Sequence, residues 1–292
     1  MTSFRSFLLT ILAAHLAVWT PACATAAPVE SAPSPAQASP AKAAAMPPAT
    51  APVAASPDDD IQPKAPNDQD RHSATTPVPR HDDAYVSLHR QYVQRAKQGG
   101  VKVLFLGDSI THGWGGPGKA VWQKQYAPLG AANFGISADQ TQFLLWRLAE
   151  GELEGLRPRA VVLMIGTNNL KSGPTRMAPE DAAAGVKAVL DLLRARLPES
   201  RILLLGVLPR QPQYPWMAAT VRKMNALLAG LADGQRVRFL DFGHRFLKAD
   251  GTMDPALMQK DLLHLSAKGY EAWAEAMRPA LGELLALPEA GK

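Results

Sequence analysis

Val101-Lys102-Val103-Leu104-Phe105-Leu106-Gly107-Asp108-Ser109-Ile110-Thr111 is a short aliphatic run that stops at a glycine and turns polar. Residues 101–106 read as a strand buried on both faces, the pattern of a parallel strand covered by helices. Gly107 permits a sharp turn, so Ser109 is delivered just past the end of that strand. Four more runs of the same kind follow, at residues 132–136, 160–165, 201–208 and 237–241. Helical spacing fills the gaps between them. Val186, Val189, Leu190 and Leu193 recur three and four apart within 179–197, and Val221, Met224, Leu227, Leu228 and Leu231 within 216–231. Tyr270, Trp273, Met277 and Leu281 form one stripe of a helix over 267–287. Residues 82–97 predict a further helix before the first strand. Five strands alternating with helices define an α/β protein with a mainly parallel sheet and helices on both faces.

Two other stretches fall at equivalent places. Gly166-Thr167-Asn168-Asn169 follows the strand over 160–165, and Asp261-Leu262-Leu263-His264 precedes the last helix. In open parallel sheets the crevice beyond the carboxyl ends of the strands is where ligands bind. Residues far apart in sequence are thereby brought to one place. A serine hydroxyl becomes a nucleophile once a base takes its proton. Asp261 and His264, three apart in a turn or short helix, share one side with Cβ atoms roughly 5–6 Å apart. The carboxylate can hold one ring nitrogen and leave the other free as the base. The Asn168 amide can donate to an oxyanion. Each stretch also has a plainer reading: a helix cap for Gly-Asp-Ser, a solvated aspartate and a capping histidine, and a turn for Gly-Thr-Asn-Asn. Together they supply nucleophile, base, orienting carboxylate and oxyanion donor, the parts of an acyl-transfer site. There is no His-Glu-x-x-His, paired-cysteine or phosphate-loop pattern, so neither a metal nor a cofactor is expected.

The remainder of the chain concerns delivery. Arg5, an apolar run over 7–19 and the small-residue sites Ala22-Cys23-Ala24 and Ala24-Thr25-Ala26 predict a secretory signal peptide over 1–27. The run is shorter than the roughly 20 residues a bilayer span takes. Cys23 is the single cysteine. Thr20-Pro21-Ala22-Cys23 resembles a lipoprotein cleavage box but lacks the leucine usual three positions before the cysteine. Cleavage after Cys23 leaves no thiol, so the fold must rest on its core. Residues 28–80 hold about half of the 25 prolines and almost no large apolar side chains. They predict an extended linker without a core of its own. Residues 81–292 suffice for one well-packed domain. The formal net charge of +5 would suit an anionic wall or lipid surface. Acids and bases alternate along the helices, however, with no basic run to bind nucleic acid. The expected setting is the periplasm or the exterior of a bacterium, with membrane contact only if Cys23 is lipidated. The oligomeric state is left open.

The motifs in this order resemble the GDSL, or SGNH, esterases and lipases. Asn133-Phe134-Gly135-Ile136-Ser137-Ala138-Asp139-Gln140-Thr141, followed by Leu145-Trp146-Arg147-Leu148, is similar to the branch that contains the catalytic subunits of platelet-activating-factor acetylhydrolase. Glu152-Leu153-Glu154 and Pro209-Arg210 match that branch too. The resemblance covers about residues 101–285. It implies a three-layer α/β/α, flavodoxin-like sandwich with Ser109 as nucleophile, His264 as base and Asp261 as its partner. The Ser109 N–H, the Ala138 N–H and the Asn168 side chain would form the oxyanion hole. Ile110, Thr167 and Leu263 would shape the acyl pocket. Ala138 departs from the family, which has glycine there; it keeps the N–H but is strained if the loop needs a positive φ. Gly135 reads as a structural turn residue. The implied activity is hydrolysis of carboxylic esters, short-acyl (acetyl) first, on a small-molecule, glycan or lipid substrate and without a cofactor. The alternatives are a lysophospholipase or lipase-like esterase, a xylan or peptidoglycan O-acetylesterase, and an inactive wall- or glycan-binding protein on the same fold.

Overall fold

Successive residues of a strand point to opposite faces of its sheet, and the aliphatic runs use this to build two cores at once. In β1 (Val103–Gly107), Leu104 and Leu106 join one apolar cluster while Val103 and Phe105 join another on the far side. The same division holds in β3 (Ala160–Met164) and β4 (Arg201–Leu205). β2 (Ala131–Gly135) and β5 (Val237–Leu240) complete the sheet. All four pairings are parallel, in the order β2-β1-β3-β4-β5. The computed structural model describes residues 73–171, 176–210 and 213–286. The expected signal peptide, Cys23 and the linker as far as residue 72 lie outside the described residues.

Among the described residues, seven α-helices accompany the sheet: α1 (Asp83–Lys97), α2 (Ser109–His112), α3 (Lys119–Gln125), α4 (Thr141–Arg147), α5 (Pro179–Arg196), α6 (Pro215–Ala229) and α7 (Ala267–Ala286). Helices α5 and α6 put Val186, Val189, Leu190 and Leu193 and Val221, Met224 and Leu228 against the face carrying Leu104 and Leu106. Helix α7 puts Tyr270, Trp273, Met277 and Leu281 against the other face. The result is the three-layer α/β/α sandwich. Helices α2, α3 and α4 have seven residues or fewer, too few turns for an apolar period to show in the sequence. Their positions are set by packing. Trp114, just past α2, is fully buried, with its ring 4.6 Å from Tyr270 and 4.9 Å from Trp273.

Strand order fixes where a site can form. The chain runs from β1 out to β2 and then returns across β1 to β3, so the direction of winding reverses between β1 and β3. The crevice at such a reversal is the usual ligand position in doubly wound sheets. Gly107, Gly135 and Met164 lie level at the ends of the three neighbouring strands, so the loops that follow them open at the same height.

Two expectations change. The packed domain begins before residue 81. Ala74 is buried, its carbonyl accepts the Thr141 hydroxyl at 2.9 Å, and the Val78 N–H donates to the Gln142 carbonyl at 3.1 Å. Proline-rich composition concealed these contacts, because they use the backbone and not apolar side chains. Gly135, read as a turn residue, is the last residue of β2. A Cβ there would overlap the backbone N of His112 and lie 2.7 Å from the carbonyl carbon of Thr111. Glycine is needed because β2 abuts the backbone of α2. Gly135→Ala is therefore expected to destabilise the fold by about 1–3 kcal/mol, as overpacking of a rigid contact does. Chemical denaturation measures this; an unchanged midpoint would mean that α2 can move aside freely.

Candidate active site

The turn before α7 is built around one carboxylate. Asp261 Oδ1 accepts the backbone N–H groups of Leu263 and His264, both at 3.0 Å, and Oδ2 accepts from His264 Nδ1 at 2.5 Å. Leu262 adopts φ +51° to let the chain fold over the side chain. The spacing of three thus acts in a turn, not in a helix. Burial pushes the Asp261 carboxyl up, but these three hydrogen bonds and the neighbouring imidazole outweigh it and hold it down at about 2. With Nδ1–H given to Asp261, His264 presents Nε2 as an acceptor, and Ser109 Oγ lies 2.8 Å from it. Serine, histidine and aspartate, 155 residues apart at the extreme, form one hydrogen-bonded chain.

Ser109 opens α2, and Asp108 caps that helix by accepting the Ile110 N–H at 2.9 Å. Cap residues of this kind satisfy amides that a helix start leaves unpaired. Asp108 is fully buried, and burial raises its carboxyl to about 7. Tyr270 donates its hydroxyl to the Ile110 carbonyl at 2.7 Å, so α7 braces the nucleophile turn from below.

The loop after β2 carries Ala138 at φ +63°, the left-handed region that glycine occupies without strain. Its neighbours are tied down. Asn168 Nδ2 donates to the Asp139 carbonyl at 2.9 Å, which leaves its second amide hydrogen for another acceptor. Gln140 Nε2 donates back to the Asn168 carbonyl at 2.8 Å, and Asn169 Oδ1 accepts the Thr141 N–H at 3.1 Å. The loops following β2 and β3 are thereby laced together. Ile136 N–H donates to the Gly107 carbonyl at 3.1 Å and joins this pair to the nucleophile turn.

Behind these loops lies a buried cation. Arg147 gives Nε to Asp139 Oδ2 at 2.8 Å, Nη2 to the carbonyls of Phe134 at 2.7 Å and Gly107 at 3.3 Å, and Nη1 to Glu152. Burial pushes the Asp139 carboxyl up to about 6, against the pull of Arg147 and Arg80. Sequence reasoning placed Arg147, Asp139 and Glu152 within motifs but gave them no task. The signal available was an arginine inside Leu145-Trp146-Arg147-Leu148, a charge where an apolar residue belongs.

The expected acyl-pocket residues differ in placement. Ile110 is buried in the core cluster on the α7 side. Thr167 is buried, and its carbonyl accepts from Arg210 Nη1 at 2.5 Å. Leu263 is half-buried beside His264.

This is the serine–histidine–aspartate arrangement of an acyl-transfer hydrolase on a doubly wound α/β sheet. The model of the GDSL-like lipase/acylhydrolase family matches residues 105–272, and the chain belongs to that family. Among its relatives is the platelet-activating factor acetylhydrolase IB subunit alpha1 of Bos taurus, 38% identical over 224 residues, a match covering 74% of this chain and 92% of that protein. In three dimensions the chain is similar to a GDSL-like lipase from Bacteroides thetaiotaomicron, with TM-score 0.53, 20% identity, and 67% of this chain and 97% of that one covered. It is also similar to an acetylxylan esterase from Geobacillus stearothermophilus, with TM-score 0.52, 23% identity, and 63% and 95% covered. The protein is a carboxylic-ester hydrolase.

Asp108 gives the site a pH signature. A carboxyl whose pKa rises on folding keeps a proton that the unfolded chain has released, so stability falls as pH rises between the two values. Asp108→Asn keeps the acceptor for Ile110 and removes the titration. Relative to the variant, the wild type is expected to lose stability as pH rises from about 4 to about 7. Urea denaturation of both proteins across that range checks this. Parallel pH profiles would place the Asp108 proton elsewhere.

Proposed function

We propose that the protein is an exported serine esterase that cleaves short-acyl esters, acetyl esters first, through an acyl-enzyme. The carrying observation is the contact of 2.8 Å between Ser109 Oγ and His264 Nε2, on an imidazole whose other nitrogen is held by Asp261. Ser109 Oγ attacks the ester carbonyl carbon as its proton passes to His264 Nε2. The carbonyl oxygen, now an oxyanion, takes hydrogen bonds from the Ser109 and Ala138 amides and the free hydrogen of Asn168 Nδ2. The tetrahedral adduct collapses, its bond to the alcohol oxygen breaks, and His264 returns the proton to that oxygen. Water then attacks the acyl-serine by the same route and regenerates the hydroxyl. Asp261 stays ionised and stabilises the transient imidazolium.

The preference for a short acyl group rests on the residues that the family resemblance assigns to the acyl pocket. Thr167 is buried and Leu263 half-buried, whereas Ile110 is held in the core cluster on the α7 side, and side chains fixed in a pocket wall yield to a longer chain only at roughly 1–3 kcal/mol. That is about a 5- to 150-fold preference if it appears wholly in the transition state. The relative from Bos taurus is named an acetylhydrolase, which favours the same acyl group. Export rests on the signal-like N-terminus alone.

Ser109→Ala or His264→Ala is expected to lower kcat by on the order of 10⁴ or more. More than a tenth of wild-type activity left in Ser109→Ala would exclude the mechanism. For the wild type, kcat/KM is expected to fall from acetyl to butyryl and steeply by octanoyl nitrophenyl esters, with Leu263→Ala flattening the series. Faster cleavage of octanoyl than of acetyl esters would favour a lysophospholipase. Acetylated sugars and lysolipids in the same screen identify the alcohol half.

A further inference from the structure

The short segment Ser73–Arg80, which composition assigns to a linker, ends in a side chain aimed at the catalytic loop. Arg80 Nη1 donates to the Ser137 carbonyl at 2.7 Å and lies 3.3 Å from Asp139 Oδ1. These residues flank Ala138, the non-glycine residue at φ +63°. One guanidinium nitrogen thus spans the strained position and grips it on both sides.

The guanidinium is itself held. Nε and Nη2 meet Asp82 Oδ2 at 3.0 and 2.9 Å, and its carbon stands 4.6 Å from the Tyr85 ring centre and 5.7 Å from that of Phe143. The segment leading to it is pinned as well. Thr141 Oγ1 donates to the Ala74 carbonyl, and Val78 N–H donates to the Gln142 carbonyl. Pro77 and Pro79 fix two of the last φ angles. On α5, Gly185 makes room for this passage, since a Cβ there would come within 2.7 Å of the Ala74 carbonyl oxygen.

We propose that Arg80 is a positioning residue for the oxyanion hole, and that Ser73–Arg80 is a strap holding the Ala138 amide in its donor orientation. The proposal rests on the reading of Ala138 N–H as an oxyanion donor. Left-handed backbone at an alanine costs roughly 1–2 kcal/mol, so the loop has a standing tendency to relax. Arg147 holds Asp139 from inside and Asn168 holds its carbonyl from the side. Arg80 closes the third side and alone among these three reaches Ser137 as well. A donor turned away from the oxyanion weakens transition-state binding while leaving ground-state binding largely intact.

The test uses the full chain with Arg80→Ala, Arg80→Gln, Arg80→Lys, Asp82→Asn and Ala138→Pro. Arg80→Ala is expected to lower kcat about 10- to 100-fold, part of the ~10²–10³ that a whole oxyanion donor supplies, with KM within about twofold. Phosphonylation by a fluorophosphonate, whose phosphoryl oxygen enters the same hole, should slow in parallel. Arg80→Lys, a cation without the planar fork, should recover part of the loss. Asp82→Asn, which keeps the α1 cap but withdraws the carboxylate that accepts from Arg80 Nε and Nη2, should lower kcat in the same direction and by less than Arg80→Ala. If Arg80→Ala does not fold, Arg80→Gln carries the same comparison. A variant of Arg80 with wild-type kcat and a lowered melting temperature would overturn the proposal, as would a loss expressed wholly in KM. Ala138→Pro, which removes the N–H and also forbids the positive φ, tests the donor in one direction. If it turns over normally, the donor assignment fails; if it abolishes turnover while Arg80→Ala keeps wild-type kcat, the strap fails.

Discussion

A guanidinium sealed inside the protein is the constraint on which the site depends. Arg147 has no exposed surface and neither have its partners Asp139 and Glu152. Its planar fork suits this place because several donors must diverge in fixed directions. They reach the last residue of β1 through Gly107, the end of β2 through Phe134, and the loop after β2 through Asp139. Glu152 accepts in addition from His89 on α1 at 2.9 Å, so the network runs out to the helix that begins at the strap. Buried ions are costly to desolvate, and such a group contributes little net stability unless every member is paired. Here all three nitrogens of the guanidinium are paired, through four hydrogen bonds. What the network supplies is registry between the end of β1, the end of β2 with the loop that follows it, and the segment at Glu152.

That registry explains where backbone strain has collected. Among the described residues, Ala138 and Leu262 are the two non-glycine residues at positive φ, and both belong to the site. Leu262 bends so that one aspartate can accept from two amides and a ring nitrogen. Ala138 bends between two residues that are both held in place, Ser137 through its carbonyl and Asp139 through its carboxylate. Strain of this kind persists only when neighbours over-determine it. Around Leu262 the neighbours are the hydrogen bonds to Asp261. Around Ala138 they are Arg80, Arg147 and Asn168. The two turns solve the same problem by different means, one from within the turn and the other from three separate elements.

The sequence was readable wherever a structural need repeats. Strands β1 to β5 announced themselves as short, near-continuous aliphatic runs, since both faces of the sheet are covered, and helices α5 to α7 by their three- and four-residue spacing. Ser109 and Asn168 were readable as polar residues just past the ends of β1 and β3, and Asp261 and His264 as a pair three apart before the last helix, in the combination that acyl transfer needs. Helices α2 to α4 were not, being too short for a period. The segment Leu148–Glu152 breaks helical geometry at Glu150 and Gly151, which no propensity scale anticipates. Arg80 was hidden more deeply. It lies at the end of a stretch whose composition promises no core, and it acts through one carbonyl and one carboxylate. Composition measures what a segment can bury, whereas Arg80 is ordered by what it can donate.

Two aspartates close to one serine show how placement divides labour. Asp108 is adjacent to Ser109 in sequence, wholly buried, and raised to about 7. Asp261 is half-exposed and held at about 2. A carboxylate that must stabilise an imidazolium has to be ionised at every working pH, which favours partial solvation and several donors. A carboxyl that only caps a helix can sit in the core, since the acceptor oxygen facing Ile110 serves in either protonation state. Exchanging the two environments would leave the base with a partner half-neutral near pH 7 and the helix start with a charge it does not need. The more distant aspartate therefore serves the histidine, and the one beside the nucleophile serves the fold.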